Sequence, residues 1–378
     1  MRSATFKNGI ILCLVAALVT LFWLYALERQ REGAGLSERT KAAGAAEYEW
    51  KLVTSWPKNF PGLGTAPEEF ARLVETMTEG RVRIKVFGGG ELVPPLGVFD
   101  AVSQGSAQFG HAAAYYWKGK VPSSIFFTSV PFGLTAQEQN GWLHHGGGQE
   151  LWEEAYEPFN LVPLAAGNTG VQGAGWFTKE IRSIEDIKGL KMRIPGVGGE
   201  VFNRAGGTSV TLPGSELYTS LQTGVIDATE WVGPYNDMAL GFHEVADYFY
   251  FPGWQEPGPT LELTVNRDLW LSLPEDLQTI IRTAARAANQ DMLDLYTARN
   301  NEAMRTLVEK HGVKFRRLPD DVLRELAKHS QEYLEELAER DPMAAKIYPQ
   351  WRAFADGVKA YHQISERAYI NARELDQP

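Results

Sequence analysis

Four side chains have the types and settings to do chemistry: Gln172, Arg193, Glu230 and Glu256. In GVIDATEW, Gly224 to Trp231, the alternation puts Val225, Asp227, Thr229 and Trp231 on one face and Ile226, Ala228 and Glu230 on the other. Glu230 thus shares a face with residues that want a core, and a carboxylate there needs a partner. Arg193 ends the apolar strand KMRI, where a guanidinium needs a carboxylate; its planar fork suits either a ligand's carboxylate or a structural acid such as Glu230, and position alone does not choose. Gln172, flanked by glycines in NTGVQGAGW, offers an amide oxygen suited to a hard cation, or simply a satisfied amide. Glu256 in GWQEPG adds a second acid. Two carboxylates suggest acid–base catalysis, yet no nucleophile, metal-histidine spacing or cofactor loop stands beside them. A bound cation and an anionic ligand fit the set better than a reaction.

Other strings carry less. HGGG at His145 to Gly148 resembles an oxyanion-hole sequence, but no GxSxG occurs in the chain, so a plain loop is expected. GVGGEVFNRAGG has Gly196 and Gly198 but Val201 at the third glycine position, a partial dinucleotide fingerprint. What remains is a helix start that, with Arg193, welcomes an anion. Tyr115, Tyr116, Trp117, Trp176, Trp231, Tyr235 and Trp254 lie in loops rich in glycine and proline, where a ligand pocket is expected more than a core.

These residues must be positioned by alternating strands and helices. From Tyr48 the order is strand EWKLV, helix APEEFARLVETMTEG, strand RVRIKVF, helix GVFDAVSQG and strand AQFGHA. After a helical, aromatic-rich middle it resumes with NLVPLAA, GAGWF, helix SIEDIKG, strand KMRI, helix GEVFNRAG, strand SVTL, helix SELYTSLQTG and strand VIDATEW, the pattern of an α/β fold. Phe99 to Ala112 laid over Tyr218 to Trp231 matches aromatic with aromatic, Val102 with Leu221 and Gly105 with Gly224, which puts His111 in the place of Glu230. Two similar lobes are implied. The last third is helical, from Pro274 to Gly312 and from Pro319 to the end, with an apolar stripe through Trp351, Phe354, Val358, Tyr361, Ile364 and Tyr369.

The 378 residues, 44% hydrophobic, suffice for two ordinary cores. Residues 1–46 hold six basic residues against three acidic, so the net charge of −10 becomes −13 for the rest. That acidity argues against nucleic acid as a partner. The lone Cys13 lies in an N-terminal apolar run, which excludes disulfides, zinc–cysteine sites and thiol nucleophiles from the folded part. Arg2 and Lys7 precede that run, residues 10–27, about 27 Å of helix. Export is expected, with an uncleaved anchor favoured over a cleaved signal peptide.

Several long strings then carry a resemblance: GGGELVPPLGVFDAVSQG, YYWKGK, VPFGL, HHGGG, GNTGVQGAGWF, GLKMRIPG, IDATEWVGPYND and FPGWQEPGPT, with the late AFADGVKAYHQISERAY. In that order they resemble the solute-binding proteins of tripartite ATP-independent periplasmic (TRAP) transporters, in the branch that binds 2-oxo and 2-hydroxy monocarboxylates. The resemblance implies a two-lobed α/β periplasmic-binding-protein-like fold with mixed sheets, a long connecting helix and a helical C-terminal segment. Its expected divisions are 1–27 signal anchor or signal peptide, 28–47 tether, 48–168 lobe I, 169–255 lobe II, 256–318 return strands and connecting helix, and 319–378 C-terminal helices. It implies that Arg193 clamps the ligand carboxylate, and that Gln172, Glu230, the Trp231 carbonyl and Glu256 hold a metal ion, sodium ahead of calcium. Tyr116 and Asn168 would complete the ligand shell. Gln172, Trp231 and Glu256 would meet the ligand as well. The implied partners are the TRAP permease subunits and, through the C-terminal helix, a second copy. The implied location is the periplasm, with residues 10–27 as an inner-membrane anchor. On this reading Arg193→Ala removes binding without disturbing the core. The rival from another class is a lyase or hydrolase using Glu230 and Glu256.

Overall fold

The computed structural model describes residues 46–375 together with Thr20 and Tyr25, so the expected anchor and most of the tether lie outside the described residues. Among the described residues, eleven strands form two mixed sheets. The first has the order β2-β1-β3-β10-β4, built from β1 (Tyr48–Thr54), β2 (Val82–Phe87), β3 (Phe109–Ala112), β4 (Leu161–Asn168) and β10 (Thr260–Asn266). The second, β11-β9-β5-β8-β6-β7, joins β5 (Gly175–Phe177), β6 (Lys191–Arg193), β7 (Thr208–Val210), β8 (Ala228–Thr229), β9 (Tyr248–Phe251) and β11 (Lys314–Arg317). Every residue of β4 and β10 is buried, as expected of central strands covered on both faces.

Helices α1 (Thr65–Met77), α2 (Val98–Ser103), α3 (Gly196–Arg204), α4 (Leu217–Gln222) and α5 (Pro234–Ala239) cover these sheets. Helix α6 (Glu275–His311) runs 37 residues, about 55 Å. Glu275 and Asp276 open it, Lys310 and His311 close it, and Gly312 caps it at φ 65°, an arrangement matched to the helix dipole. Its buried stripe from Leu277 through Ala288 and Met292 to Leu307 packs against β4 and α1 of the first lobe and α5 of the second. This is the long connecting helix. The chain ends in α7 (Asp320–Arg340), α8 (Pro342–His362) and α9 (Glu366–Arg373), interrupted where Asp341 caps α8 through Ala344 N, 2.6 Å.

The internal match is real in three dimensions. Gly105 (φ 74°) follows α2 and Gly224 (φ 71°) follows α4; β3 then runs parallel to β1, as β8 does to β6. Only glycine enters such a left-handed turn without strain.

Three local expectations need correction. SIEDIKG forms a single 3-10 turn, Ile184–Ile187, held by the Ser183 and Asp186 capping box rather than a full helix. Strand β7 stops at Val210, before the expected Leu212. VIDATEW contributes only Ala228 and Thr229 to the sheet. Ile226 to Trp231 are covered on both faces apart from the half-buried Asp227, so Glu230 and Trp231 are both buried and the simple alternation fails.

Candidate functional site: a buried charge cluster between the lobes

Strand β6 ends at Arg193, which pairs with Thr229 of β8, and the next residue of β8's chain is Glu230. This register places the guanidinium against the carboxylate. Arg193 Nη1 donates to Glu230 Oε1 at 2.5 Å and to the Glu230 carbonyl at 3.0 Å; Nε donates to the Leu212 carbonyl at 3.1 Å. Both side chains are about 1% exposed. The ion pair left open by the sequence is therefore present. The guanidinium also lies 5.0 Å from the centre of the Trp231 ring. Nη2 has only the Tyr116 hydroxyl, at 3.5 Å, so one edge of the fork still has donor capacity toward the adjoining cavity.

That cavity leaves about 20 Å³ for the centre of a water-sized sphere, room for one water or a bare ion. Its walls include Tyr116, Gln172, Arg193, Trp231 and Glu256, so five of the seven expected residues meet there. Glu230 sits one layer behind, against Arg193. Asn168 is absent from the wall. It ends β4, where Nδ2 donates to the Gly258 carbonyl (3.2 Å) and Thr260 Oγ1 (3.3 Å), while Oδ1 accepts from Gly170 N (2.8 Å). All its polar atoms are engaged in shaping the crossover, so no free group of Asn168 is directed at a ligand.

Gln172 Nε2 donates to Thr169 Oγ1 at 3.1 Å, fixing the amide so that its oxygen is free. The loop bearing Glu256 is tied to the Gln172 loop by Gln172 N to the Glu256 carbonyl (3.1 Å) and Gln255 Nε2 to the Gly173 carbonyl (2.7 Å). Gly253 permits this approach, since a Cβ there would lie 2.1 Å from the Gln172 carbonyl oxygen.

Four buried oxygens here lack a hydrogen-bond donor: Gln172 Oε1, Glu230 Oε2, Gln255 Oε1 and Glu256 Oε2. Hard cations take such oxygens, so the donor set fits sodium or calcium, with Gln172 and Glu256 on the cavity wall and Glu230 behind. Among the described residues no cluster of three or more His, Cys, Asp or Glu offers a softer metal site. Burial raises the Glu230 carboxyl well above its ordinary range, with Glu256 adding to the effect and Arg193 opposing it. Burial lifts Glu256 to about 7. The Tyr116 phenol is pushed up to about 12, also by burial, so it stays a neutral donor.

Sequence reasoning missed Trp56, Leu63, Thr169 and Gln255 around this cluster. Trp56 makes edge contact with Trp231 at 6.2 Å and lies 6.0 Å from Tyr116. His111, the positional counterpart of Glu230, orients it: Trp56 Nε1 donates to His111 Nδ1 at 2.8 Å, and Nε2 meets the Ala166 carbonyl at 3.1 Å. Burial lowers His111 to about 4, so one lobe presents a neutral imidazole where the other presents an acid. An unpaired tryptophan just after strand β1 was the available signal for this contact.

The family model for bacterial extracellular solute-binding protein, family 7 (DctP), matches residues 52–341. A monocarboxylate 2-oxoacid-binding periplasmic protein of Nostoc sp. is 45% identical over 335 residues, 89% of this chain and 92% of that protein. A crystal structure of a TRAP periplasmic solute-binding protein from Colwellia psychrerythraea, with bound calcium and pyruvate, is 42% identical with a TM-score of 0.84, covering 86% of this chain and 99% of that one. Another, from Pseudoalteromonas atlantica with bound sodium and pyruvate, is 42% identical with a TM-score of 0.83, covering 86% and 98%. With two lobes, a connecting helix and a buried charge cluster between them, the chain belongs to family 7 of the bacterial extracellular solute-binding proteins, the DctP family.

Proposed function

We propose that this protein is the periplasmic receptor of a TRAP transporter, capturing a small 2-oxo or 2-hydroxy carboxylate with a metal ion and passing it to the membrane permease. The observation that carries this is the one-sided use of Arg193: Nη1 and Nε are committed, while Nη2 retains donor capacity toward a cavity whose wall also holds donor-free oxygens. A carboxylate of the ligand accepts from Nη2 and from the Tyr116 hydroxyl. The ion, when bound, screens that carboxylate from Glu256 and Glu230, since neither charge is tolerable alone in a water-free site. Trp56 and Trp231 close the apolar side and exclude water.

Charge balance bears on the ion. One guanidinium faces two carboxylates, and the ligand adds a third negative charge. Calcium leaves the closed site neutral, whereas sodium, favoured in the sequence reading, leaves one negative charge unless Glu256 is protonated. The balance therefore favours calcium. Calorimetry with pyruvate in calcium, and in sodium with a calcium chelator, tests this directly. One equivalent of unchanged acid recovered from the complex supports the receptor; turnover of pyruvate establishes the rival lyase or hydrolase instead.

The proposed homodimer rests on the end of the C-terminal stripe. Trp351 is buried, but Tyr361, Ile364 and Tyr369 are 60%, 79% and 67% exposed. A second copy laying the same helices across this face would cover them. The double variant Ile364→Glu/Tyr369→Glu then sediments as a monomer where the parent is a dimer; a monomeric parent refutes the pairing.

A further inference from the structure

The HHGGG turn is left unused by the ligand site. His144 and His145 end the helix Ala136–His145, and Gly147, left-handed at φ 85°, turns the chain into the helix Gly148–Tyr156. Behind this turn, between β4 and α6, lies a second cavity of about 270 Å³ on the measure used above, sharing no wall residue with the ligand cavity. Its polar lining includes His144, Gln149, Thr279, Arg282, Thr283 and Arg286.

This lining is rich in donors on a chain of net charge −10, and the acid beside it is Glu153, held by Arg282 and Gln149. Arg282 is partly committed: Nη1 reaches Glu153 Oε1 at 3.3 Å, and its guanidinium lies 4.8 Å from the Trp270 ring centre. The Gln149 amide is committed to Glu153 Oε1 and the Pro163 carbonyl. Thr283 donates to the Thr279 carbonyl. Among the described residues, the exposed Arg286, one helical turn beyond Arg282, has no ion-pair or hydrogen-bond partner, and neither has the half-buried His144 imidazole. Two cationic arms at i and i+4 on one face of α6 repel each other, and Glu153 offsets this at Arg282 but not at Arg286. Donor groups of Arg286, His144 and Thr279 line the same cavity, and Arg286 and Thr279 are open to solvent there.

We infer that this cavity is a second binding site, specific for a small tetrahedral oxyanion of the sulfate or phosphate class, held by Arg286 and Arg282 with His144 and Thr279 as neutral donors. It lies on the outer side of β4, whose far end carries the chain into Thr169 and Gln172 of the ligand site.

The probe is sulfate, which keeps its charge across the working pH range and tolerates calcium. Sulfate is titrated into the full chain saturated with pyruvate and calcium, and the imidazole resonances are followed by NMR, with His144 assigned from the His144→Gln variant. The expected result is a saturable shift at His144, a rise of its apparent pKa from about 4 toward the ordinary histidine value, and at least a tenfold loss of sulfate affinity in Arg286→Gln with pyruvate affinity unchanged. A linear, non-saturating response, or equal affinity in parent and Arg286→Gln, overturns the assignment. A shift that appears only without pyruvate also overturns it, because sulfate then occupies the ligand cavity.

Discussion

At the scale of single residues, Arg193 has two duties that the sequence separates poorly. It neutralises Glu230 inside the protein and, in the proposed function, offers Nη2 to the ligand. Arg193→Ala therefore cannot leave the fold undisturbed, contrary to the expectation from sequence. Removing one partner strands a buried charge, and a loss of about 3–5 kcal/mol in unfolding free energy is expected, read by urea denaturation of the ion-free protein. Adding Glu230→Gln should restore part of that stability but not pyruvate binding. No recovery would mean that the pair is not the source of the loss.

Glu256 makes a second residue-scale prediction. Burial raises its folded-state value to about 7, above the ordinary 4.5. Its contribution to the stability of the ion-free protein is thus complete below about pH 4.5 and is lost as pH rises through about 7. Asp237 and Glu262, lifted to about 7 by burial as well, and Glu230, raised by its own burial, act in the same direction, so the stability curve reports all four. In the proposed site, where the ion takes the Glu256 carboxylate, calcium affinity should fall at least about tenfold per unit below pH 7, with Glu230 adding to the fall. Calorimetry across pH 5.5–8 checks this, and Glu256→Gln should flatten the inflection while weakening binding throughout.

At the scale of elements, the two loops at the proposed ion site are set by backbone contact rather than by side-chain packing. A methyl at Gly253 would meet the Gln172 carbonyl, so Gly253→Ala must push the loop bearing Glu256 away. Overpacking of this kind costs about 1–3 kcal/mol, and calcium-dependent pyruvate binding should weaken at least tenfold. An unchanged affinity would place the ion elsewhere. This contact also marks the limit of what the sequence reveals. Arg193, Glu230, Gln172 and Glu256 were legible because a charged or amide side chain in an apolar or glycine-rich setting asks for a partner. Gln255 and Trp56 were not, because their roles arise from segments far apart in the chain. Asn168 looked like a ligand contact, yet its hydrogen bonds close on its own crossover. The strand through Glu230 was overextended because alternation continues past the two residues that pair in the ladder. The helices and most strands followed from periodicity and caps, whereas the sheet order, with β10 inserted between β3 and β4, depends on pairings that local sequence does not encode.

Across the whole molecule, the lobes meet through a few polar ties. Lys118 Nζ, just beyond β3, reaches Glu200 Oε1 at 2.5 Å and the Gly196 carbonyl at 3.0 Å, both on α3 of the other lobe. Asn236 Nδ2 and the Tyr296 hydroxyl both donate to the Pro61 carbonyl, at 2.7 and 3.1 Å. The Lys118 pair is partly solvated, so its worth is about 0.2–1 kcal/mol, and Lys118→Ala should weaken pyruvate about 1.5- to 5-fold, mainly through faster dissociation. Stopped-flow fluorescence, using the tryptophans beside the cavity, measures that rate; an unaltered rate would exclude the tie from closure. The near-complete burial of Arg193 and Glu230 has a kinetic corollary. In the proposed function, a ligand seated beside them has no exit without parting of the halves, so its residence time is governed by the hinge, and different acids should leave at similar speeds despite unequal affinities.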